Sequence, residues 1–121
     1  ESLAWKRKDL NIPIEIEGNI IQVEEFAKKI FDLRNRERRE DLAKTVHVSL
    51  ANAFSDIAIE EAKKDHLPVA FSGGVAYNKI FSDAIKKRVE SSGLKYVEHK
   101  LIPCGDGGVS FGQSLFAYKN I

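Results

Sequence analysis

Methionine is absent from this chain, and cysteine and tryptophan occur once each. One cysteine closes no internal disulfide, so a disulfide-stapled secreted fold is excluded and a reducing, cytoplasmic setting is expected. No apolar run approaches the roughly 20 residues that span a bilayer, and no signal-peptide pattern opens the chain. An excess of one charge is also missing. Nineteen basic residues face 18 acidic ones, for a net charge of +1, which predicts no bulk attraction to nucleic acid or membrane. Glycine and proline, at eight and three, are too few for a fibrous or low-complexity chain. What remains, 43% hydrophobic and 31% charged over 121 residues, is one soluble domain with a real core. With Glu1 first and no Met anywhere, the chain is expected to be a cut piece of something longer.

The pattern along the chain alternates strands and helices. Ile12, Ile14 and Ile16 alternate with Pro13, Glu15 and Glu17, as in a strand with one wet face. Gly18-Asn19 signals a turn, and Val23, Phe26, Ala27, Ile30 and Phe31 then predict a helix over 23–33. In the charged run RNRERRE (34–40) two Glu interrupt four Arg and no aromatic is interleaved, so it reads as a solvated connection or helix start. Leu42, Val46, Leu50, Phe54 and Ile57 predict a long amphipathic helix over 41–64, closed before Pro68. PVAF (68–71) reads as a strand buried on both faces. A helix over 77–89 follows, with Gly93 just past its end. Residues 94–102 form a less regular strand, and a last helix over 109–118 carries Phe111, Leu115 and Phe116. The first ten residues allow a short helix burying Leu3, Ala4 and Trp5. The order predicts an α/β fold whose 69–71 and 95–102 strands are parallel and joined by a right-handed crossover.

Two glycine-rich loops, FSGGVAYN (71–78) and PCGDGG (103–108), each follow a strand and precede a helix. In an open α/β sheet, ligands sit beyond the carboxyl ends of the strands, so parallel neighbours would open both loops on one edge. Gly73 and Gly74 let a ligand approach the backbone, and a helix start offers N–H groups and partial positive charge to a phosphate. Ser72 and Asn78 add a hydroxyl and an amide. Asp106, flanked by Gly105, Gly107 and Gly108, suits a hard cation such as Mg²⁺ or Mn²⁺, with a His-containing iron or zinc site as the alternative. Either loop alone is also a plain turn, with Asp106 capping the next helix. Neither G-x-G-x-x-G nor a P-loop G-K-[ST] is present. His47 reads as packing or hydrogen-bonding between helix and sheet, with the rim of the nucleotide pocket as the alternative, His66 as a surface helix end and His99 as an exposed strand residue. Cys104, with no base beside it in sequence, reads as an inert loop thiol, and Tyr77 and Trp5 as packing residues.

Residues 69–117 closely resemble the C-terminal end of the HypF family of carbamoyltransferases, which mature nickel–iron hydrogenases. That family ends in S-G-G-V-x-x-N, then P-x-x-D-G-G-(I/L/V)-x-x-G-Q. Ser72, Gly73, Gly74, Val75, Asn78, Pro103, Asp106, Gly107, Gly108, Gly112 and Gln113 fit in order. DLAKTVHVSLANAFSDIA (41–58) resembles the family's preceding helix, whereas residues 1–40 resemble it only loosely.

The resemblance implies one partial carbamoyltransferase domain over 1–121, with residues 1–40 as an N-terminal extension and 41–121 as the nucleotide and metal core. Its fold would be an RNase-H-like half of the sugar-kinase, heat-shock and actin-like architecture, three-layered with parallel C-terminal strands. Ser72, Gly73, Gly74, Asn78, Gly107 and Gly108 would hold ATP or carbamoyl adenylate, and Asp106 would ligate a divalent metal. The implied activity makes carbamoyl adenylate from carbamoyl phosphate and ATP, then passes the carbamoyl group to the C-terminal cysteine of a HypE-like partner, toward cyanide ligands of hydrogenase iron. The family's upstream H-x-x-x-H metal ligands are missing: Ala43 and Ala51 stand four residues either side of His47. The chain alone is therefore expected to be inactive, to need the missing N-terminal part of the same enzyme, and to self-associate through an uncovered apolar face. A tRNA threonylcarbamoyl transferase-type subunit and a non-catalytic nucleotide-binding module are the rival readings.

Overall fold

The computed structural model describes residues 7–120, so the short helix expected over 1–10 falls largely outside the described residues. Ile16–Glu17 (β1) and Ile20–Ile21 (β2) pair antiparallel around Gly18-Asn19, with Ile16 opposite Ile21. Gly18, at φ +60°, adopts the left-handed conformation that such a turn needs. Helix α1 (Val23–Leu33) follows, and a turn through the charged run leads to α2 (Arg39–Lys64). Within that connection Arg34 lies 3.6 Å over the exposed Phe31 ring. The run is thus a solvated connection that becomes the start of α2 at Arg39, as its sequence implied.

Helix α2 is buried along two flanks, and the residues buried there are mostly small. On one flank Ala51, Ile59 and Ala62 pack with Val69 and with Phe81, Ile85 and Val89 of α3 (Lys79–Ser91). On the other, Ala53 joins Ile14 and Phe26. Thr45, Ser49 and Ser55 are buried polar residues, and each is satisfied by backbone. The Thr45 hydroxyl donates to Asp41 O and accepts from the Leu10 N–H, Ser49 donates to Ile12 O, and Ser55 to Ala51 O. Those bonds hold residues 10–14 against the helix. The large-residue stripe expected along α2 needs one correction: Phe54 is 53% exposed.

β3 (Val69–Ala70) and β4 (Tyr96–Val97) pair in parallel, with Val69 opposite Tyr96 and Ala70 opposite Val97. Both strands are shorter than the sequence implied, since the parallel pairing runs over two residues of each. Val69 is buried but Ala70 is exposed, so β3 is not covered on both faces as expected. An open apolar groove of about 510 Å³, lined by Phe54, Ala58, Phe71 and Val75 among others, lies beside it. α3 ends in a Schellman closure. Gly93, at φ +81°, donates to Glu90 O, and Leu94 donates back to Val89 O.

The last helix, α4, spans Asp106–Lys119 and starts three residues before the expected Val109. It buries none of its residues, and Val109, Phe111, Leu115 and Phe116 are all exposed, Phe116 at 72%. No helix among the described residues is long and apolar enough to cross a membrane.

Candidate functional site

The parallel pairing of β3 with β4 brings both glycine-rich loops to one edge, as the topology required, and hydrogen bonds stitch them together. The Gly73 N–H donates to Cys104 O at 2.8 Å, and the Ser72 hydroxyl lies 3.3 Å from the same oxygen. His99 Nε2 lies 2.9 Å from Ser72 Oγ. One carbonyl of the second loop thus gathers two residues of the first.

Gly73 sits at φ +104° and ψ 177°, a conformation that only glycine adopts without strain. Nothing lies within 4 Å of where a Cβ would stand on Gly73 or Gly74, so the backbone there faces open space. Gly74 begins a 3-10 turn over Gly74–Tyr77 that delays the α-helix expected at Tyr77 until Lys79. Asn78 is the reason. Its Oδ1 accepts from the Phe81 N–H at 3.1 Å and caps α3. The Ser82 hydroxyl, donating to Ala76 O at 2.8 Å, ties the turn down to the same helix.

On the second loop the glycines serve close packing as well as openness. A Cβ on Gly105 would stand 2.7 Å from the Tyr77 ring, and one on Gly108 would overlap the Pro103 carbonyl oxygen. Gly107 stands against the Pro103 ring, and the Gly108 N–H closes the turn onto Gly105 O at 2.8 Å. Asp106 is exposed in the first turn of α4, where the helix dipole favours a negative charge. Among the described residues no group of three or more His, Cys, Asp or Glu gathers that could hold a metal ion. Asp106 thus stands as a single exposed carboxylate outside any such group. For a phosphate the fit is better, since uncluttered backbone at Gly73 and Gly74 lies beside a helix start.

His99 is exposed, as the sequence implied, but it is not a strand residue. β4 ends at Val97, and the turn beyond it carries His99 to Ser72, 27 positions earlier. No local sequence signal marks that contact. His47 is half-buried with Nδ1 2.7 Å from Ala43 O, so its hydrogen bond lies within α2 and not between helix and sheet as expected. His66 lies exposed at the end of α2. Tyr77 packs on Gly105, yet most of its ring remains open to solvent. A second, polar pocket of about 200 Å³ is lined by Asp9, Asn11, Asn52, Asp56 and Arg88, with no residue from either loop. There the Arg88–Asp56 pair bridges α3 to α2 and holds the Arg88 guanidinium above its ordinary pKa through the carboxylate hydrogen bond.

Comparison with known proteins shows which family the chain resembles. Residues 1–113 match the family model described as carbamoyltransferase, Kae1-like domain, second subdomain. A probable carbamoyltransferase HypF of Methanocaldococcus jannaschii is 34% identical over 115 residues, which are 93% of this chain and 15% of that protein. A HypF homologue of Cupriavidus necator is 32% identical over 74 residues, covering 60% of this chain and 19% of the relative. The crystal structure of HypF from T. kodakarensis superposes with a TM-score of 0.85 at 36% identity, over 96% of this chain and 15% of that one. The chain thus spans less than a fifth of each of these relatives. With its two stitched glycine loops in that same framework, the chain belongs to the HypF carbamoyltransferase family, as the second subdomain of its carbamoyltransferase domain.

Proposed function

We propose that this chain supplies one face of the nucleotide site of a HypF-type carbamoyltransferase. The observation that carries the reading is the Gly73 N–H bond to Cys104 O, which makes one surface of two loops at the carboxyl edge of parallel strands. On that surface the open backbone at Gly73 and Gly74 admits a phosphate, and the Ser72 hydroxyl donates to it. The backbone of Gly107 and Gly108 brings the positive end of α4 to the same place. Asn78 fixes the first loop by capping α3, which keeps the turn in position before a ligand arrives. Asp106 contributes one carboxylate to a divalent metal that neutralises phosphate charge when bound.

In the complete protein this site would hold the carbamoyl adenylate that another domain makes with ATP, and would pass its carbamoyl group to the acceptor as AMP leaves. The acceptor in this reading is the C-terminal cysteine of a HypE-like partner. The remaining ligands and catalytic groups would come from the rest of the polypeptide, in an architecture of two RNase-H-like halves clamping the nucleotide. The exposed apolar residues of α4 and the open groove beside β3 support a missing partner surface, since contiguous apolar faces of this kind are normally covered.

The test is calorimetric titration of ATP with Mg²⁺ or Mn²⁺ into the full-length protein containing this segment. Asp106→Ala is expected to weaken metal-dependent ATP binding about tenfold, close to 1.4 kcal/mol, while leaving metal-free binding unchanged. Unchanged metal-dependent binding would remove Asp106 from the metal site.

A further inference from the structure

We propose that His99 is a positioning residue that turns the Ser72 hydroxyl toward the ligand, an inference that rests on the nucleotide reading above. A serine hydroxyl has one proton to donate and two lone pairs to accept with. In this structure Ser72 Oγ has two neighbours of unequal standing. Cys104 O, at 3.3 Å, is beyond the usual range of an O–H···O bond, whereas His99 Nε2, at 2.9 Å, is well inside that of an N–H···O bond.

A phosphate oxygen only accepts, so Ser72 can serve a phosphate only by directing its proton outward. That requires the histidine to be the donor: Nε2–H points at Ser72 Oγ, occupies one lone pair and holds the oxygen in place. The hydroxyl proton is then retained only by the long contact to Cys104 O, and rotates readily to an incoming phosphate. With the opposite tautomer, Ser72 gives its proton to the ring and presents only lone pairs to an anion, which repels it. The ring thus decides whether Ser72 attracts or opposes the ligand. The geometry also explains why a residue outside both glycine loops meets their junction. Exposure of Ser72 and His99 leaves the approach clear.

Three variants of the full-length protein, with Mg²⁺-ATP as the probe, separate this role from a structural one. His99→Leu removes the donor and is expected to weaken binding about fivefold to tenfold, the worth of one hydrogen bond. His99→Gln restores an N–H donor at a similar reach and is expected to stay within about twofold of wild type. In a Ser72→Ala background, His99→Leu is expected to have no further effect, because a positioning residue acts only through the group it positions. Wild-type affinity in His99→Leu would overturn the inference, as would losses from Ser72→Ala and His99→Leu that add in the double variant. Absence of Mg²⁺-ATP binding by the wild type would instead sink the nucleotide reading, and this inference with it.

Discussion

Replacing Phe81 by alanine should destabilise the chain by roughly 3–5 kcal/mol, the range for deleting a buried aromatic ring. Phe81 is 7% exposed on the inner face of α3. Its ring stacks on Phe71 at 5.7 Å between centroids and tilts against Phe54 at 6.3 Å. The lost contacts would be felt in two places. Phe71 immediately precedes Ser72, and the Phe81 N–H is the donor that Asn78 caps. The open groove beside these rings lets Phe54 and Phe71 settle into part of the cavity, which places the cost toward the low end of that range. Phe54, half in solvent, provides the control, and Phe54→Ala should cost only about 1 kcal/mol because about half of its area stays in water on folding. Urea unfolding of both variants measures the difference. Equal losses would show that Phe81 is no better packed in the core between α2 and α3 than Phe54.

Gly108→Ala and Gly112→Ala should move stability in opposite directions, although both place alanine in the same helix. Alanine is favoured over glycine in a helix interior by about 0.8–1 kcal/mol. Gly112 has nothing within 4 Å of its missing Cβ, so the substitution should stabilise α4 by about that amount. At Gly108 the same methyl overlaps the Pro103 carbonyl oxygen, a backbone atom that cannot swing aside. Overpacking of this kind costs about 1–3 kcal/mol and outweighs the propensity gain. The structure would relieve the clash by pushing 103–105 outward, and with it the Cys104 carbonyl that anchors Gly73 and Ser72. The Gly108 variant should therefore also disturb the first loop, seen as amide shifts at Ser72 and Gly73 in NMR spectra. Gains at both positions would mean that Gly108 has more room than its surroundings give it.

The helices were legible because their signals are local. Val23 to Leu33 shows the 3.6-residue period, and Gly93 sits where a helix must reverse. The strands were only partly legible. An apolar run such as Pro68 to Phe71 records a preference for burial, but strand length depends on neighbours, and here β3 has one. Phe54 misled for a different reason. Periodicity in large residues predicts one buried stripe, whereas α2 is buried on two flanks through Ala51, Ala53, Ser55 and Ala62, which admit close approach without bulk. Ser72 to Gly74 and Asp106 to Gly108 stood out in sequence because glycine clusters after strands are rare enough to notice. The contact between His99 and Ser72 did not, since it exists only once the β3–β4 pair brings the loops together.

Hydrogen–deuterium exchange on the full-length protein, with and without Mg²⁺-ATP, tests most directly whether these two loops form one nucleotide surface. ATP is expected to slow exchange in peptides covering 72–78 and 104–108 together, while peptides from α1 and the distant end of α2 stay unchanged. Protection confined to other parts of the protein, with both loops exchanging as before, would contradict it.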